Sequence, residues 1–331
     1  MKEIKELLSL KSKILITTHV NPDGDAIGSS LALYNFLIKM GHDVNVVVPN
    51  DYPDFLRWMK SNDKIINFSE KSDDVEKLLN KTDIIFCLDF NNLKRINELG
   101  DLIQLSNAKK VLIDHHLNPD SFYDYKYHNV DASATAELVY DLISFVDYTL
   151  IDKDISDCIY TGILTDTGSF RFPSTSSKVH RIVADLLDKG VRSDQIGKII
   201  YESNSFDKLK LLGYSLSKKL EIICDGRAAY IVLSRKDLLN NNYRKGDTEG
   251  IVNYALSIAG VNMATLIIET KERVKFSFRS SGNFSVNHFA NSYFNGGGHK
   301  NAAGGSLEDK LSVALDKFLE SISKHKKELN Y

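Results

Sequence analysis

KILITTHVNPDGDAIGSS, residues 13–30, passes from a short apolar run through a polar loop into a helical pattern. The apolar run Ile14–Ile16 is short enough to be a buried strand. The loop that follows carries His19, Asp23 and Asp25, and from Ala26 onward apolar residues recur at helix spacing. Ligands of open α/β sheets bind beyond the carboxyl ends of the strands, so this loop is a candidate site. The plainer interpretation is a polar turn in which Asp25 is the helix N-cap.

Three further segments have apolar interiors typical of strands, which we predict over Asp43–Val48, Asp83–Asp89 and Lys110–Asp114. Near-continuous apolar runs mark strands that are covered on both faces. Helical patterns follow over Ala134–Phe145, Ile151–Thr167, Ser177–Lys189 and Ser193–Tyr201. This alternation predicts an α/β domain with a doubly wound, mostly parallel sheet over residues 1–190.

The composition changes after this region, since all five prolines lie at or before Pro173. We predict a helical connector over residues 191–220. Residues 221–331 contain three strand patterns and three helix patterns, which predict a second, smaller α/β domain. We expect the two domains to face each other across a cleft.

Charge and cysteine usage limit the class of protein. The formal net charge is −2, so no overall basic field is available to hold long nucleic acid. Cys87, Cys158 and Cys224 are far apart in the sequence, which suits a reducing cytosol, and we expect the first two to be small core residues. No apolar run approaches the length of a membrane span, and we expect a cytoplasmic protein that does not bind membranes.

Carboxylates and imidazoles recur where the predicted strands end, and one more carboxylate ends a predicted helix. They are His19, Asp23, Asp25, Asp89, Asp114, His115, His116 and the helix-borne Asp166. So many carboxylates in one crevice would repel one another unless cations neutralised them. The mixture of imidazole nitrogen and carboxylate oxygen suits Mn²⁺ better than Ca²⁺ or Mg²⁺. A bridging carboxylate can hold two ions about 3.5–4 Å apart, an arrangement that activates a shared water and clamps a phosphoryl group. The pattern therefore predicts a two-metal centre for phosphoester hydrolysis.

Each of these residues also has a structural interpretation. The aspartates suit turn and helix-cap positions, and a lone His115 or His116 suits an ordinary structural contact. The metal interpretation is favoured because nearly all of the residues fall at the carboxyl ends of strands.

The second domain contains the run Gly296-Gly297-Gly298, followed by His299. Glycines let the backbone approach a ligand closely and direct N–H groups at a phosphate or carboxylate. Arg279, at the end of a predicted strand, can bind a phosphate through two parallel hydrogen bonds. The order of these features favours substrate binding by Arg279, the three glycines and His299 over a flexible loop with a surface arginine.

Taken together, four ordered motifs resemble the DHH phosphoesterase family, which is named for the triplet found here as Asp114-His115-His116. The other motifs are HVNPDGD at residues 19–25, FCLD at residues 86–89 and GILTDT at residues 162–167. The second domain resembles the family's DHHA1 domain through GGGHKNAAG at residues 296–304. The resemblance covers nearly the whole chain.

The resemblance implies a role for each residue of the site. The first ion would be held by His19, Asp23 and Asp89, and the second by Asp25, Asp89, His115 and Asp166. Asp89 would therefore bridge the two ions. His116 would face the reacting phosphate as a proton donor or hydrogen-bond partner, and Asp114 would orient the histidines.

Within this family, the length and layout resemble the enzymes that degrade short RNA and convert 3′-phosphoadenosine 5′-phosphate to AMP and phosphate. The resemblance implies two divalent cations, Mn²⁺ before others, as cofactors. It implies short RNA oligonucleotides and small phosphorylated nucleotides as partners. A stand-alone hydrolase of cyclic or linear dinucleotides is the enzymatic alternative, and a non-catalytic nucleotide-binding module is the alternative from another class. The sequence leaves open whether the chain forms a homodimer.

Overall fold

The computed structural model describes residues 1–330. The chain divides into two compact units, Met1–Ser203 and the part from Asn204 onward. No helix among the described residues is long and apolar enough to cross a membrane.

The first unit alternates strands and helices along most of its length. Its elements are α1 Lys2–Leu7, β1 Lys13–Thr17, α2 Gly24–Lys39, β2 Asp43–Val48, β3 Ile65–Asn67, α3 Ser72–Leu79, β4 Ile84–Leu88, α4 Glu98–Leu105, β5 Lys109–Asp114, β6 Tyr125–His128, α5 Thr135–Asp147, α6 Lys153–Asp166, α7 Ser177–Asp188 and α8 Ser193–Tyr201. The strands are all parallel and lie in the order β3-β2-β1-β4-β5-β6. The order reverses between β1 and β4, which creates a crevice at their carboxyl ends where such sheets bind ligands.

Helices cover both faces of this sheet, as alternate side chains of one strand show. Ile14 and Ile16 of β1 are buried among apolar residues of α2, α5 and α6. Leu15 points to the other face and is buried among residues of α3 and α4. Cys87 and Cys158 are buried and unpaired with each other, which confirms them as small core residues. The predicted doubly wound α/β fold is thereby confirmed.

The second unit is a mixed six-stranded sheet with helices on its faces. Its elements are α9 Phe206–Tyr214, a π-helical turn Ser215–Lys219, β7 Leu220–Ile223, β8 Ala228–Leu233, α10 Arg235–Asn240, α11 Ile251–Leu256, β9 Met263–Glu269, β10 Val274–Ser280, α12 Val286–Tyr293, β11 Gly297–Gly298, β12 Ala302–Leu307 and α13 Leu311–Lys324. The strand order is β11-β12-β10-β9-β8-β7, with β8 and β9 parallel and the other pairs antiparallel. One face carries a cluster of aromatic rings from β10, α12 and α13, and the other packs against α11.

Several short strands have no counterpart among the predicted elements. β12 reads AAGGSL, a run of small residues with low strand propensity. It is a strand because its backbone pairs with β10 over six residue pairs, from Val274↔Leu307 to Arg279↔Ala302. The predicted connector, residues 191–220, contains α8 in the first unit and α9 with the π-helical turn in the second.

Candidate metal centre

His19 lies in the loop that follows β1 and is buried. Its Nδ1 lies 2.9 Å from the carbonyl oxygen of Val20, a contact in which the imidazole N–H donates. Nε2 is thereby directed at two carboxylates, Asp89 Oδ2 at 3.3 Å and Asp23 Oδ2 at 3.9 Å. A hydrogen bond at one ring nitrogen that orients the other is the usual arrangement of a metal-ligating histidine.

The conformation of this loop is fixed by a pair of amides. Asn21 has a left-handed backbone, with φ of 53°. Its N–H donates to Asn50 Oδ1 at 2.6 Å, and the side-chain nitrogen of Asn50 donates back to Asn21 Oδ1 at 2.9 Å. Asn50 follows β2, so the amide pair ties the His19 loop to the neighbouring strand end.

Asp23 caps α2 and also faces the centre. Its Oδ1 accepts hydrogen bonds from the backbone N–H groups of Asp25 and Ala26, while Oδ2 is the oxygen nearer His19. The cap interpretation of the sequence assigned that role to Asp25, which was wrong by two residues, because helical backbone begins at Gly24. Capping uses one oxygen of Asp23 and leaves the other available to a cation.

Asp25 lies in the first turn of α2 and is held by another helix. Its two carboxylate oxygens accept the backbone N–H groups of Thr135 and Ala136, at 2.6 and 2.8 Å, at the start of α5. A carboxylate is stabilised there by unsatisfied N–H groups and the helix dipole. Ser133, just before this helix, donates its N–H and its hydroxyl to the carboxylate of Glu137.

Asp89 follows β4 at the switch point of the sheet and lies between the two groups of ligands. Its backbone is left-handed, with φ of 64°, a conformation that costs energy in a non-glycine residue and is common at functional sites. Oδ2 faces His19, while Oδ1 lies 3.5 Å from Nε2 of His115 and accepts the hydroxyl of Thr135 at 3.0 Å. One oxygen of Asp89 therefore serves each group.

His115 is oriented in the same way as His19. Its Nδ1 lies 3.0 Å from the carbonyl oxygen of Ala132. Nε2 lies 3.4 Å from Asp166 Oδ2, at the end of α6, and 3.9 Å from Asp25 Oδ2. His115, which directly follows β5, thus contacts residues of α2 and α6 that are far from it in sequence.

His116 has a different arrangement from the other two histidines. Its Nδ1 is hydrogen-bonded to Asp114 Oδ1 at 2.7 Å, and both side chains are buried. Its backbone carbonyl lies 2.7 Å from Nε2 of His128. Burial, followed by the positive charge of Arg95, lowers the pKa of His116. With Nδ1 committed to Asp114, Nε2 is the nitrogen that can meet a substrate.

Two glycines allow the helices that carry Asp25 and Asp166 to approach closely. A Cβ on Gly28 of α2 would lie 2.5 Å from the carbonyl oxygen of Cys158 in α6. A Cβ on Gly162 of α6 would lie 2.8 Å from Asp25 Oδ1. Both distances are too short for a real side chain, so Gly28 lets α2 approach the backbone of α6 and Gly162 leaves room for the Asp25 carboxylate.

The donor set fits divalent cations. With the Nδ1–H groups of His19 and His115 donated to carbonyls, both Nε2 lone pairs point at carboxylate oxygens, which is repulsive unless a cation lies between them. A proton on Nε2 would relieve the same repulsion in the metal-free protein. Burial alone would lower the pKa of both imidazoles, but hydrogen bonds to Asp89 and the charges of neighbouring carboxylates raise it. Burial, followed by the charges of Asp89 and Asp166, raises the pKa of Asp25.

The predicted metal ligands therefore come together as two overlapping groups. His19, Asp23 and Asp89 form one, and Asp25, Asp89 and His115 the other, each with ligand atoms within 4.8 Å of one another. Asp166 adjoins the second group through its 3.4 Å contact with His115. The side chains of Asp23 and Asp166 are 57% and 28% exposed, whereas the other ligands are buried, so solvent reaches the centre past these two.

The residues that support the candidate ligands were not predicted from the sequence. Thr135 binds two aspartates through its N–H and its hydroxyl, and Gly28 and Gly162 make room for the close helix contact. The only local signal is the spacing of Gly24 and Gly28, one helical turn apart on the same face of α2. Thr135 carries no local signal, because its contacts join residues that are distant in sequence.

The predicted substrate-binding residues lie in the second unit. Arg279, in β10, is paired with Ala302 of β12, three residues after His299. The N–H groups of two of the glycines are used within the unit: Gly296 donates to the carbonyl of Ala290, and Gly298 donates to the side-chain oxygen of Asn287. Close packing also requires glycine at both positions, since a Cβ would lie 2.0 Å and 2.5 Å from backbone oxygens. Substrate binding by this segment stays a prediction. Arg279 and His299 carry more of that prediction than Gly296 and Gly298, whose N–H groups already have partners within the unit.

Comparison with known proteins finds matches to both units. Residues 13–163 match the N-terminal domain of the DHH family, and residues 226–328 match the DHHA1 domain. A bifunctional oligoribonuclease and PAP phosphatase of Thermus thermophilus is 32% identical over 97% of this chain and 93% of its own length. The enzyme of the same description from Bacillus subtilis is 28% identical over 92% of each chain. The crystal structure of an exopolyphosphatase-related protein from Bacteroides fragilis is 40% identical, with a TM-score of 0.94, and covers 100% of this chain and 97% of its own.

Proposed function

The chain belongs to the DHH family of metal-dependent phosphoesterases, and we propose that it hydrolyses short oligoribonucleotides and 3′-phosphoadenosine 5′-phosphate. The observation that carries the proposal is the division of Asp89 between two groups of buried ligands, with one oxygen directed at each. A bridging carboxylate at a strand end is how a protein holds two cations close enough to act on one phosphate. The names of the similar enzymes support the substrate class.

We propose Mn²⁺ as the natural cofactor, because each group combines imidazole nitrogen with carboxylate oxygen, and Mg²⁺ prefers oxygen alone. His19, Asp23 and Asp89 would hold one ion, and Asp25, Asp89, His115 and Asp166 the other. Bound cations supply charge neutralisation of the phosphate and a water of lowered pKa.

The remaining residues of the centre position the substrate and move protons. His116 would donate a hydrogen bond or a proton through Nε2 to the phosphate or its leaving oxygen. Asp114 would hold the ring in one orientation, because its 2.7 Å hydrogen bond fixes Nδ1 as the protonated nitrogen. Thr135 would keep Asp25 and Asp89 in place through its two hydrogen bonds.

We further propose that the second unit binds substrate through Arg279, His299 and the adjoining run of glycines, Gly296, Gly297 and Gly298. Arg279 would contribute a forked pair of donors to a phosphate. With a net charge of −2, the chain has no overall basic field to add affinity for nucleotides beyond the site. Short substrates should therefore be preferred to long ones.

The test is a hydrolysis panel in Mn²⁺. We expect kcat/KM to be highest for RNAs of about two to five nucleotides, to fall for strands of about thirty nucleotides, and to be measurable for 3′-phosphoadenosine 5′-phosphate. Cyclic di-AMP tests the alternative of a cyclic-dinucleotide hydrolase, and tripolyphosphate tests the activity suggested by the name of the similar structure. A thirty-nucleotide strand degraded as efficiently as a five-nucleotide one would contradict the length preference. If neither the short RNAs nor 3′-phosphoadenosine 5′-phosphate were hydrolysed, the proposed function itself would be contradicted.

A further inference from the structure

Arg95 lies in the loop that leaves Asp89, at the edge of the candidate metal centre, and has no assigned part in metal or substrate binding. It belongs to the 3₁₀ helix Leu93–Ile96, in the loop that leaves Asp89. That loop follows β4, so it lies between the ends of β1 and β5, which carry His19 and the pair His115-His116.

The segment that carries Arg95 is firmly held. Asn92 caps the short helix by accepting the N–H of Lys94 at 2.7 Å, and Ile96 is fully buried. The carbonyl oxygen of Arg95 accepts the N–H of Val20 at 2.9 Å, which joins the segment directly to the His19 loop. The position of Arg95 relative to the centre is therefore defined by the fold.

Arg95 is half-buried as a residue, and among residues 1–330 its guanidinium makes no side-chain hydrogen bond or ion pair. Other arginines of the first unit differ, since Arg57 pairs with Asp51 and Asp54 and Arg192 pairs with Asp194. A partly desolvated cation without an acidic partner costs free energy. Such a cost is typical of a group whose partner is a ligand.

The backbone of Arg95 is anchored beside a candidate ligand, because Val20, whose N–H it accepts, directly follows His19. The same segment leaves Asp89 at the end of β4, so Arg95 belongs to the edge of the sheet where the candidate ligands meet. Its positive charge is consistent with this place: it acts together with burial to lower the pKa of His116, and it acts with burial and against Asp89 and Asp23 on the pKa of His19.

We propose that Arg95 binds the phosphate that is hydrolysed, by donating hydrogen bonds from its guanidinium to non-bridging oxygens. The inference rests on the proposed function, since it names a further residue for the same reaction. In that reaction a water oxygen bonds to phosphorus, the bond to the leaving nucleoside oxygen breaks, and that oxygen keeps the electron pair and takes up a proton. Arg95 keeps its own protons throughout and stabilises the negative charge on the phosphoryl oxygens.

The experiment compares the wild type with Arg95→Ala, Arg95→Lys and the control Lys94→Ala, each loaded with Mn²⁺. Lys94 is an exposed cation on the same 3₁₀ helix, so its removal changes the net charge equally without emptying the proposed site. Three quantities are measured for each: bound metal by elemental analysis, the Kd of inorganic phosphate by calorimetry, and kcat/KM on a diribonucleotide.

For Arg95→Ala we expect two bound ions, phosphate binding weakened by roughly ten- to a hundredfold, and a fall in kcat/KM of at least that size, as for loss of a charged hydrogen bond. Arg95→Lys should lie between this variant and the wild type, because it keeps the charge but loses the fork. Lys94→Ala should match the wild type. The lysine variant also keeps the test decisive should the alanine variant fail to fold.

Three results would overturn the inference: wild-type phosphate affinity in Arg95→Ala, wild-type kcat/KM at the variant's own pH optimum, or loss of bound metal. The outcome is separable from that of the proposed function. Phosphate binding that depends on Arg95, in a wild type that cleaves no nucleotide, would support the site and refute the substrate class. Hydrolysis of short RNA by wild type and Arg95→Ala alike would do the reverse.

Discussion

The substitution Asp89→Asn tests directly the proposal that Asp89 bridges two cations. Asparagine has nearly the same shape and can still accept the hydroxyl of Thr135 through its one oxygen. Its other terminal atom becomes an NH₂ group, which cannot bind a cation. Either the group containing His19 or the group containing His115 must therefore lose a ligand atom, and both lose negative charge.

The size of the effect follows from the two contacts that Asp89 makes. Loss of a partner that merely supports a metal ligand weakens metal binding by roughly 10–100-fold. Asp89 contacts both groups, so we expect at least that loss at each, or about 10²–10⁴ for the pair. A hundredfold weaker Kd at saturating Mn²⁺ removes about 2.7 kcal/mol of stabilisation by the ion. For a unit of this size, that change lowers the metal-dependent part of the Tm by roughly 5–11 °C.

The assay measures bound metal after dialysis against limiting Mn²⁺, the Tm with and without Mn²⁺, and turnover of a diribonucleotide. Asp101→Asn on α4 is the matched control, because it removes the same charge from an exposed position. We expect the metal-free Tm of Asp89→Asn to fall as well, because, against the effect of burial, hydrogen bonds with His115 and His19 hold the pKa of Asp89 well below its usual range, and the neutral amide loses this stabilisation. The effect on metal binding is therefore taken from the difference between the Tm with and without Mn²⁺ in each variant. Full occupancy by two ions together with wild-type turnover would refute the assignment of Asp89 as the bridge.

Three further predictions concern packing, substrate binding and pH. Gly28→Ala should destabilise the protein by roughly 1–3 kcal/mol through overpacking, because its Cβ would lie 2.5 Å from the Cys158 carbonyl oxygen. The control Gly197→Ala, in open space on α8, should stabilise it by about 0.5–1 kcal/mol. Urea unfolding in which both variants change the free energy of unfolding in the same direction would contradict the close helix contact. Arg279→Ala and His299→Ala should keep both ions while kcat/KM on dinucleotides falls roughly ten- to a hundredfold, and wild-type rates in both would exclude them from substrate binding. Affinity for Mn²⁺ should rise with pH through neutrality, because contacts with the bridging carboxylate, against the effect of burial, raise the pKa of the two imidazole ligands, which must lose their protons before metal binds. Calorimetry in buffers of different ionisation enthalpy should then report proton release, and heat that is the same in every buffer would argue against it.

Four of the six strands in the first unit's sheet, and the edge at which the candidate ligands meet, could be predicted from the sequence. Apolar runs such as Ile14–Ile16 identify buried strands, and residues that directly follow strands, such as His19, Asp89 and His115, collect at one edge because parallel strands end there together. Strand and ligand are adjacent in the chain, so a local pattern is enough to find both.

How the candidate ligands are held, and which groups support them, depends on contacts between elements that are far apart in the sequence. Asp25 binds the start of α5, 110 residues away, and Thr135 of that helix reaches across to Asp89. Gly162 must be a glycine only because α2 packs against α6 at that point and brings Asp25 close to it. The segment of Arg95 lies beside the His19 loop because its carbonyl oxygen accepts the N–H of Val20, on the loop after a neighbouring strand. The local periodicity of a sequence records which face of an element is buried, but not which distant residue it meets, so these contacts arise only when the helices pack on the finished sheet.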